Sequence, residues 1–400
     1  MSPSVALLLS IASILVLLRF KVHPGPAVFV GGLVLSLLVL PLIETPRLML
    51  RTLSTLQTYR LIGIIVCAFT LSKLMEQRGM LMNLAHTLES IGPKMAMHVV
   101  PSVIGMVPMP GGALVSATAV KGLSERLRLS PAQATYINFW FRHIWEMAVP
   151  VYPAVIAASI ILSVPLSSVV LIMLPVIPLM ALFGGVVSYR ILRDASTQPA
   201  QSLSGRQLVS ALLRAAWPVV LLVTMVLAGV EALVAFLAAS VLLALQQRVS
   251  VQELKQALRY ALDGKVLFLL LAVMLYKEFV EGSGAAFALF TDMQSLGIAP
   301  PIILIALPVV IGFATGLSIA FVGISFPLLL PFMTADNGLS GYALFLAYTA
   351  GGLGYMVSPL HLCLILTTDY FKARLSDVYR LVFPPLVGVI GTALLVYLVF

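Results

Sequence analysis

Ten runs of about 20 mostly apolar residues, separated by short polar stretches, take up most of this chain. A helix of that length crosses a hydrocarbon core about 30 Å thick. Sixty per cent of the residues are hydrophobic and 10% are charged, a balance that leaves too little polar surface to face water on all sides, so lipid must be the solvent. The reading is an all-α polytopic membrane protein. Its first-half spans fall near residues 4–20, 26–43, 60–76, 132–158 and 163–190, and its second-half spans near 211–229, 230–247, 266–282, 341–368 and 378–399. Residues 5–18 have no basic residue before them and Arg19 and Lys21 after them, the reverse of a cleavable signal peptide.

Two segments do not fit the plan, 96–120 and 299–333. The first opens Pro101-Ser102-Val103-Ile104-Gly105, and the second opens Pro308-Val309-Val310-Ile311-Gly312, 207 positions later with four of five residues shared. Pro150 and Pro359 follow at matching places. Such spacing predicts an internal duplication, residues 1–207 and 208–400.

Basic residues decide how the two segments run. With both as re-entrant hairpins, 18 of the 21 Lys and Arg in loops or at span ends collect on one side and only Arg47, Arg51 and Arg60 on the other. With both as single spans the split falls to 14 and 7. Positive charge gathers on the cytoplasmic side, so the hairpins are the better account; two full crossings of the longer second segment give the same sides. About ten transmembrane helices plus two re-entrant hairpins then form two inverted-topology repeats, because five crossings per repeat is odd. Both termini are expected outside the cytoplasm.

The net charge of +9 sits in loops, where it sets orientation and meets anionic lipid headgroups, so no nucleic-acid partner is expected. Cys67 and Cys363 lie within apolar runs, which excludes a disulfide framework and a cysteine metal cluster. No metal and no cofactor is expected beyond Na⁺ or H⁺ as coupling ion. Paired aspartates and a His-Glu metal motif are both missing from the apolar runs, so an enzyme is not expected, although an intramembrane enzyme acting on a lipid or peptide and a passive anion channel are the alternatives.

Candidate ligands cluster at the odd segments. Pro108, Pro110, Gly111 and Gly112 form a tip that no helix can pass through; non-helical backbone at membrane depth lines a cavity or is buried in protein. The matching stretch of the second segment carries Thr315, Gly316 and Ser318. Between 132 and 158, Asn138, Arg142 and Glu146 recur every four residues on one helical face. Arg142 can hold an oxyanion in two parallel hydrogen bonds, or pair internally with Glu146. His143 could relay a proton. In the second copy Gly351 and Gly352 permit close approach of ligand or helix, and Ser358, His361 and, from the first copy, Tyr152 flank the two proline breaks. Lys73 with Glu76 and Lys277 with Glu281 read as interfacial pairs.

The duplicated plan, Pro108-Met109-Pro110-Gly111-Gly112 and Ser358-Pro359-Leu360-His361-Leu362-Cys363 resemble the domain of unknown function 401 family of prokaryotic membrane proteins, within the ion-transporter superfamily. More distant relatives are gluconate permeases and the divalent anion/sodium symporters. The resemblance implies an elevator-type secondary transporter of a small carboxylate-type anion, a homodimer, in the cytoplasmic (inner) membrane. The Ser-Asn-Thr triplets of those symporters have no counterpart here: the tips read Pro110-Gly111-Gly112 and Thr315-Gly316-Leu317-Ser318.

Overall fold

Proline fixes where many helices begin, since its missing N–H costs nothing in a first turn. Pro3, Pro24, Pro93, Pro131, Pro153 and Pro300 each stand at such a start. The computed structural model describes residues 1–80, 82–83, 88, 92–109, 112–193, 205–335 and 338–400, and these are helical throughout save for connections and a short hairpin pairing Thr334–Ala335 with Gly338–Leu339.

In the first half the helices are α1 (Pro3–Arg19), α2 (Pro24–Val39), α3 (Glu44–Ser54), α4 (Leu56–Gln77), α5 (Pro93–Ile104), α6 (Gly112–Arg126), α7 (Pro131–Arg142), α8 (Pro153–Ile161), α9 (Leu166–Met173) and α10 (Val176–Leu192). In the second they are α11 (Gly205–Leu227), α12 (Ala232–Gln246), α13 (Val251–Ala261), α14 (Gly264–Ser283), α15 (Ala285–Ser295), α16 (Pro300–Thr315), α17 (Ser318–Met333), α18 (Gly341–Met356), α19 (Leu362–Phe371) and α20 (Leu375–Val399). Among the described residues, four helical stretches are long and apolar enough to cross a membrane: Leu56–Gln77, Leu166–Leu192, Val209–Leu227 and Leu375–Val399. With the shorter apolar helices, and with Leu8, Leu37, Leu182, Val241, Phe313 and Leu395 turned outward, they make this an integral membrane protein.

The odd segments are helix pairs. α5 packs on α6 and α16 on α17; among the described residues the helix is broken at 105–109 and at 316–317. Sixteen residues of helix reach about 24 Å, so neither α16 nor α17 spans the hydrocarbon core alone.

Three features depart from the sequence reading. The runs at 132–158 and 341–368, each expected as one span, are each two helices. α7 stops at Arg142, where the backbone bonding tightens to His143 N on Trp140 O (3.1 Å) and Glu146 N on His143 O (3.2 Å). Pro150 offers no donor to the Glu146 carbonyl, nor Pro153 to that of Val149, and the chain resumes helix only at Pro153. Pro359 likewise withholds a donor from Tyr355, and α18 stops at Met356. As a result Glu146 lies in the turn beyond α7 rather than on its face, and the expected stripe of Asn138, Arg142 and Glu146 ends at Arg142. The third is a set of short helices, α3, α13 and α15, in stretches the sequence reading left between spans.

Helix starts recur between the halves: Glu44 and Val251, and Pro93 and Pro300, stand 207 apart, while Leu166 and Leu375 stand 209 apart. Contacts recur with the halves exchanged. α2 packs on α14 as α12 packs on α4, and α8 packs on α17 as α19 packs on α6.

Candidate functional site

The four breaks in the helices meet at one place. α7 is anchored at its start by a capping box, with Ser130 Oγ accepting from the Gln133 amide at 3.3 Å and Gln133 Oε1 accepting from the Ser130 amide at 2.9 Å. Its buried face is then fixed by Tyr136, whose hydroxyl donates to Gly184 O (3.0 Å), and Trp140, whose Nε1 donates to Met180 O (2.9 Å). This delivers the last residue of the helix, Arg142, to the first hairpin break.

Arg142 is 3% exposed. Its Nη2 reaches Met109 O in the break at 3.5 Å, its Nη1 reaches Cys363 Sγ of the other half at 3.5 Å, and its Nε has no partner. No carboxylate lies within 4.0 Å of the guanidinium among the described residues; the alternative of an internal pair with Glu146 is not formed, and Glu146 instead approaches His143 Nε2 at 3.6 Å. Gly112 makes room for the guanidinium, because a β-carbon there would collide with Nη2. Gly105 lies against the Arg142 backbone, and its carbonyl accepts from the Tyr152 hydroxyl.

Across the interface of the halves, His143 and His361 face each other, Nε2 to Nε2 at 3.1 Å. His143 Nδ1 lies 2.6 Å from Phe139 O, and His361 Nδ1 lies 3.0 Å from Gly316 O in the second hairpin break. Gly316 takes the left-handed conformation, φ +65°, and a β-carbon there would meet the backbone of Leu360 and His361 at 2.7 and 2.8 Å, so only glycine lets the break approach. Phe139 and Tyr355 pack against the imidazoles.

Asn138, Arg142, His143, Glu146, Gly112, Gly316 and His361 therefore converge, with Pro108 buried beside Met109. Asn138 Nδ2 donates to Ala113 O at 3.4 Å while its Oδ1 is buried without a partner. Thr315 is buried and donates back to Ile311 O at 2.8 Å, a bond within its own helix. Ser318 is half-buried at the start of α17. Ser358 shapes the second helix break by accepting from the Leu360 amide at 3.1 Å. Gly351 and Gly352 face Phe321, Pro308 and Met147, where α18 packs closely on its neighbours. Pro110 and Gly111 lie outside the described residues. Cys363 is the member that the sequence reading set aside. His361-Leu362-Cys363 is visible as a short motif, but its partner His143 is over two hundred positions away. A cavity of about 770 Å³ lined by Gln57, Arg60, Ser159, Ser163 and Glu231 lies elsewhere and includes none of these residues.

Residues 1–400 match the family described as "Protein of unknown function (DUF401)". The chain belongs to that family. The DUF401 chain also resembles the crystal structure of the Alcanivorax borkumensis YdaH transporter, described as having an unusual topology, with a TM-score of 0.61 at 15% identity over 87% of this chain and 88% of that one. At that identity the likeness speaks for the fold of the DUF401 chain. No curated protein sequence matches it.

Proposed function

We propose that the protein is a secondary transporter of a small organic anion of the carboxylate type, driven by an H⁺ or Na⁺ gradient through an elevator-type movement, in the cytoplasmic membrane. One observation carries the reading: the Arg142 guanidinium is buried where both hairpin breaks meet, its Nε is unpartnered, and no carboxylate comes within ion-pair distance among the described residues. A buried cation without a counter-charge is costly, and a carboxylate docked on its planar fork removes that cost with two parallel hydrogen bonds. Asn138 Oδ1 and Thr349 Oγ1, also buried without partners, are further polar atoms in the α7 and α18 helices that end at this place. The re-entrant, inverted arrangement agrees with the exchanged contacts between halves, since two near-equivalent packings are what alternating access needs. The likeness to the YdaH transporter adds support at the level of fold.

The test is uptake of labelled carboxylates and other oxyanions into proteoliposomes under imposed Na⁺ or H⁺ gradients, with Arg142→Gln for comparison. We expect gradient-driven accumulation by the wild type and a loss of at least about tenfold in the variant, equivalent to one charge-assisted hydrogen bond of ~1.4 kcal/mol or more. Undiminished uptake by Arg142→Gln removes the arginine from the site. Flux that equilibrates but never accumulates makes the protein a channel.

A further inference from the structure

Each imidazole of the His143–His361 pair points its Nδ1 at a backbone carbonyl, Phe139 O and Gly316 O. A carbonyl oxygen only accepts, so each Nδ1 carries its ring's proton, and in the neutral rings both Nε2 atoms present lone pairs. These lone pairs face each other at 3.1 Å. They repel unless an electrophile lies between them. The Cys363 sulfur joins them, with the three donor atoms all within 4.8 Å of one another. Glu146 Oε2 stands 3.6 Å from His143 Nε2, and the Arg142 guanidinium 3.5 Å from the sulfur supplies positive charge that favours a thiolate ligand.

We propose that His143 Nε2, His361 Nε2 and Cys363 Sγ, with the Glu146 carboxylate as fourth ligand, form a binding site for a borderline divalent transition-metal ion of the Zn²⁺ class. Four features support it. Zinc held tetrahedrally by nitrogens at about 2.0–2.1 Å sets two nitrogens about 3.4 Å apart, close to the separation seen. An Nδ1–H donated to a backbone carbonyl is the outer-shell arrangement that fixes the tautomer of metal-bound histidine. Two imidazoles and a thiolate suit zinc, cobalt or copper, and suit Mg²⁺ or Ca²⁺ poorly. The ligands come from both halves and from both helix breaks, so the ion ties together elements that the chain alone joins only through long connections. The site borders Arg142, and a Cys363 thiolate 3.5 Å from the guanidinium would supply part of its counter-charge. Metal uptake tests the site and anion flux tests the transport reading, so the two readings fail by different measurements.

The probe is Co²⁺, titrated into detergent-purified protein first stripped with chelator. The wild type is expected to take up one equivalent, with the intense visible bands of tetrahedral cobalt and a thiolate-to-cobalt charge-transfer band in the near ultraviolet, and to release it to Zn²⁺. Cys363→Ser loses the charge-transfer band, while Cys67→Ser keeps the wild-type spectrum. His143→Ala and His361→Ala weaken binding by at least about tenfold, the least expected where outer-shell changes alone cost 10–100-fold. Should the histidine variants fail to fold, as judged by gel filtration, the conservative Cys363→Ser spectrum still decides. A wild type that binds no cobalt, or a Cys363→Ser protein with an unchanged spectrum, overturns the proposal; the first result leaves a proton shared between the two rings as the electrophile.

Discussion

A β-carbon built on Gly105 would stand 2.9 Å from the Arg142 Cα and 2.8 Å from its carbonyl carbon, and backbone cannot step aside as a flexible side chain can. Gly105→Ala should therefore destabilise the protein by about 1–3 kcal/mol, the usual cost of overpacking, and displace Arg142 with it. Gly185, within α10, provides the contrast: nothing lies within 4 Å of its β-carbon position, so Gly185→Ala should be neutral or stabilising by up to about 1 kcal/mol through helix propensity. Thermal melts in one detergent separate the two, and equal melting temperatures would remove the close approach of the first hairpin break to α7. Much at this scale was legible. A guanidinium in an apolar run has few cheap explanations, which singled out Arg142, and Pro108 and Gly316 stand in the breaks around it. Cys363 was not legible, because its chemistry depends on a histidine that only the tertiary fold brings near.

Apolar periodicity located the helices but not their interruptions. The expected span at 132–158 looked continuous because residues on both sides of the break are equally apolar; the donors missing at Pro150 and Pro153 mark only where helix cannot resume, before α8. Short charged helices escaped for the opposite reason, since they cannot cross lipid. Among them α13 can be tested directly. Glu253 accepts from the Ser250 amide (2.7 Å) and hydroxyl (2.8 Å) and pairs with Arg78 Nη2 at 2.9 Å, and the Ser250 donors hold its carboxyl below the usual carboxylate range. A depressed value in the folded state means that this capping is fully present above about pH 4.5, the ordinary glutamate value, and is lost as pH falls through the lowered one. Protection of the amides at the start of α13, with exchange rates corrected for their intrinsic slowing toward acid, should fall on acidification in the wild type. In Glu253→Gln that protection should already be low at neutral pH and respond less. If the two proteins exchange alike at both pH values, the carboxylate is not what holds the helix end.

At the scale of the molecule the halves are interlocked rather than set side by side. Gly32 of α2 brings its backbone against Phe279 and Tyr276 of α14, where a β-carbon would meet the Phe279 ring at 3.0 Å, and Gly25 does the same against Phe268 and Leu269. The reciprocal pair, α12 on α4, closes the exchange. The helix starts at Glu44 and Val251 and at Pro93 and Pro300 keep the 207-residue offset of the two proline motifs; the exchange was not legible, because an offset says nothing about which half a helix packs on. Lipid does not penalise exposed leucine, so these contacts depend on close packing of small residues against rings, and either half alone leaves that packing unmade. The two pieces produced by dividing the chain between Arg193 and Gly205 should therefore each be unstable alone, degraded or aggregated on extraction. Expressed together with an affinity tag on one piece, they should copurify in equal amounts and reproduce the melting curve of the intact protein. Side-by-side units would behave otherwise: each piece would purify folded in isolation, and tagging one would recover little of the other. That outcome would show that the contacts between α2 and α14 and between α12 and α4 contribute little, and would move the hinge of any alternating-access motion to the boundary between two independent halves.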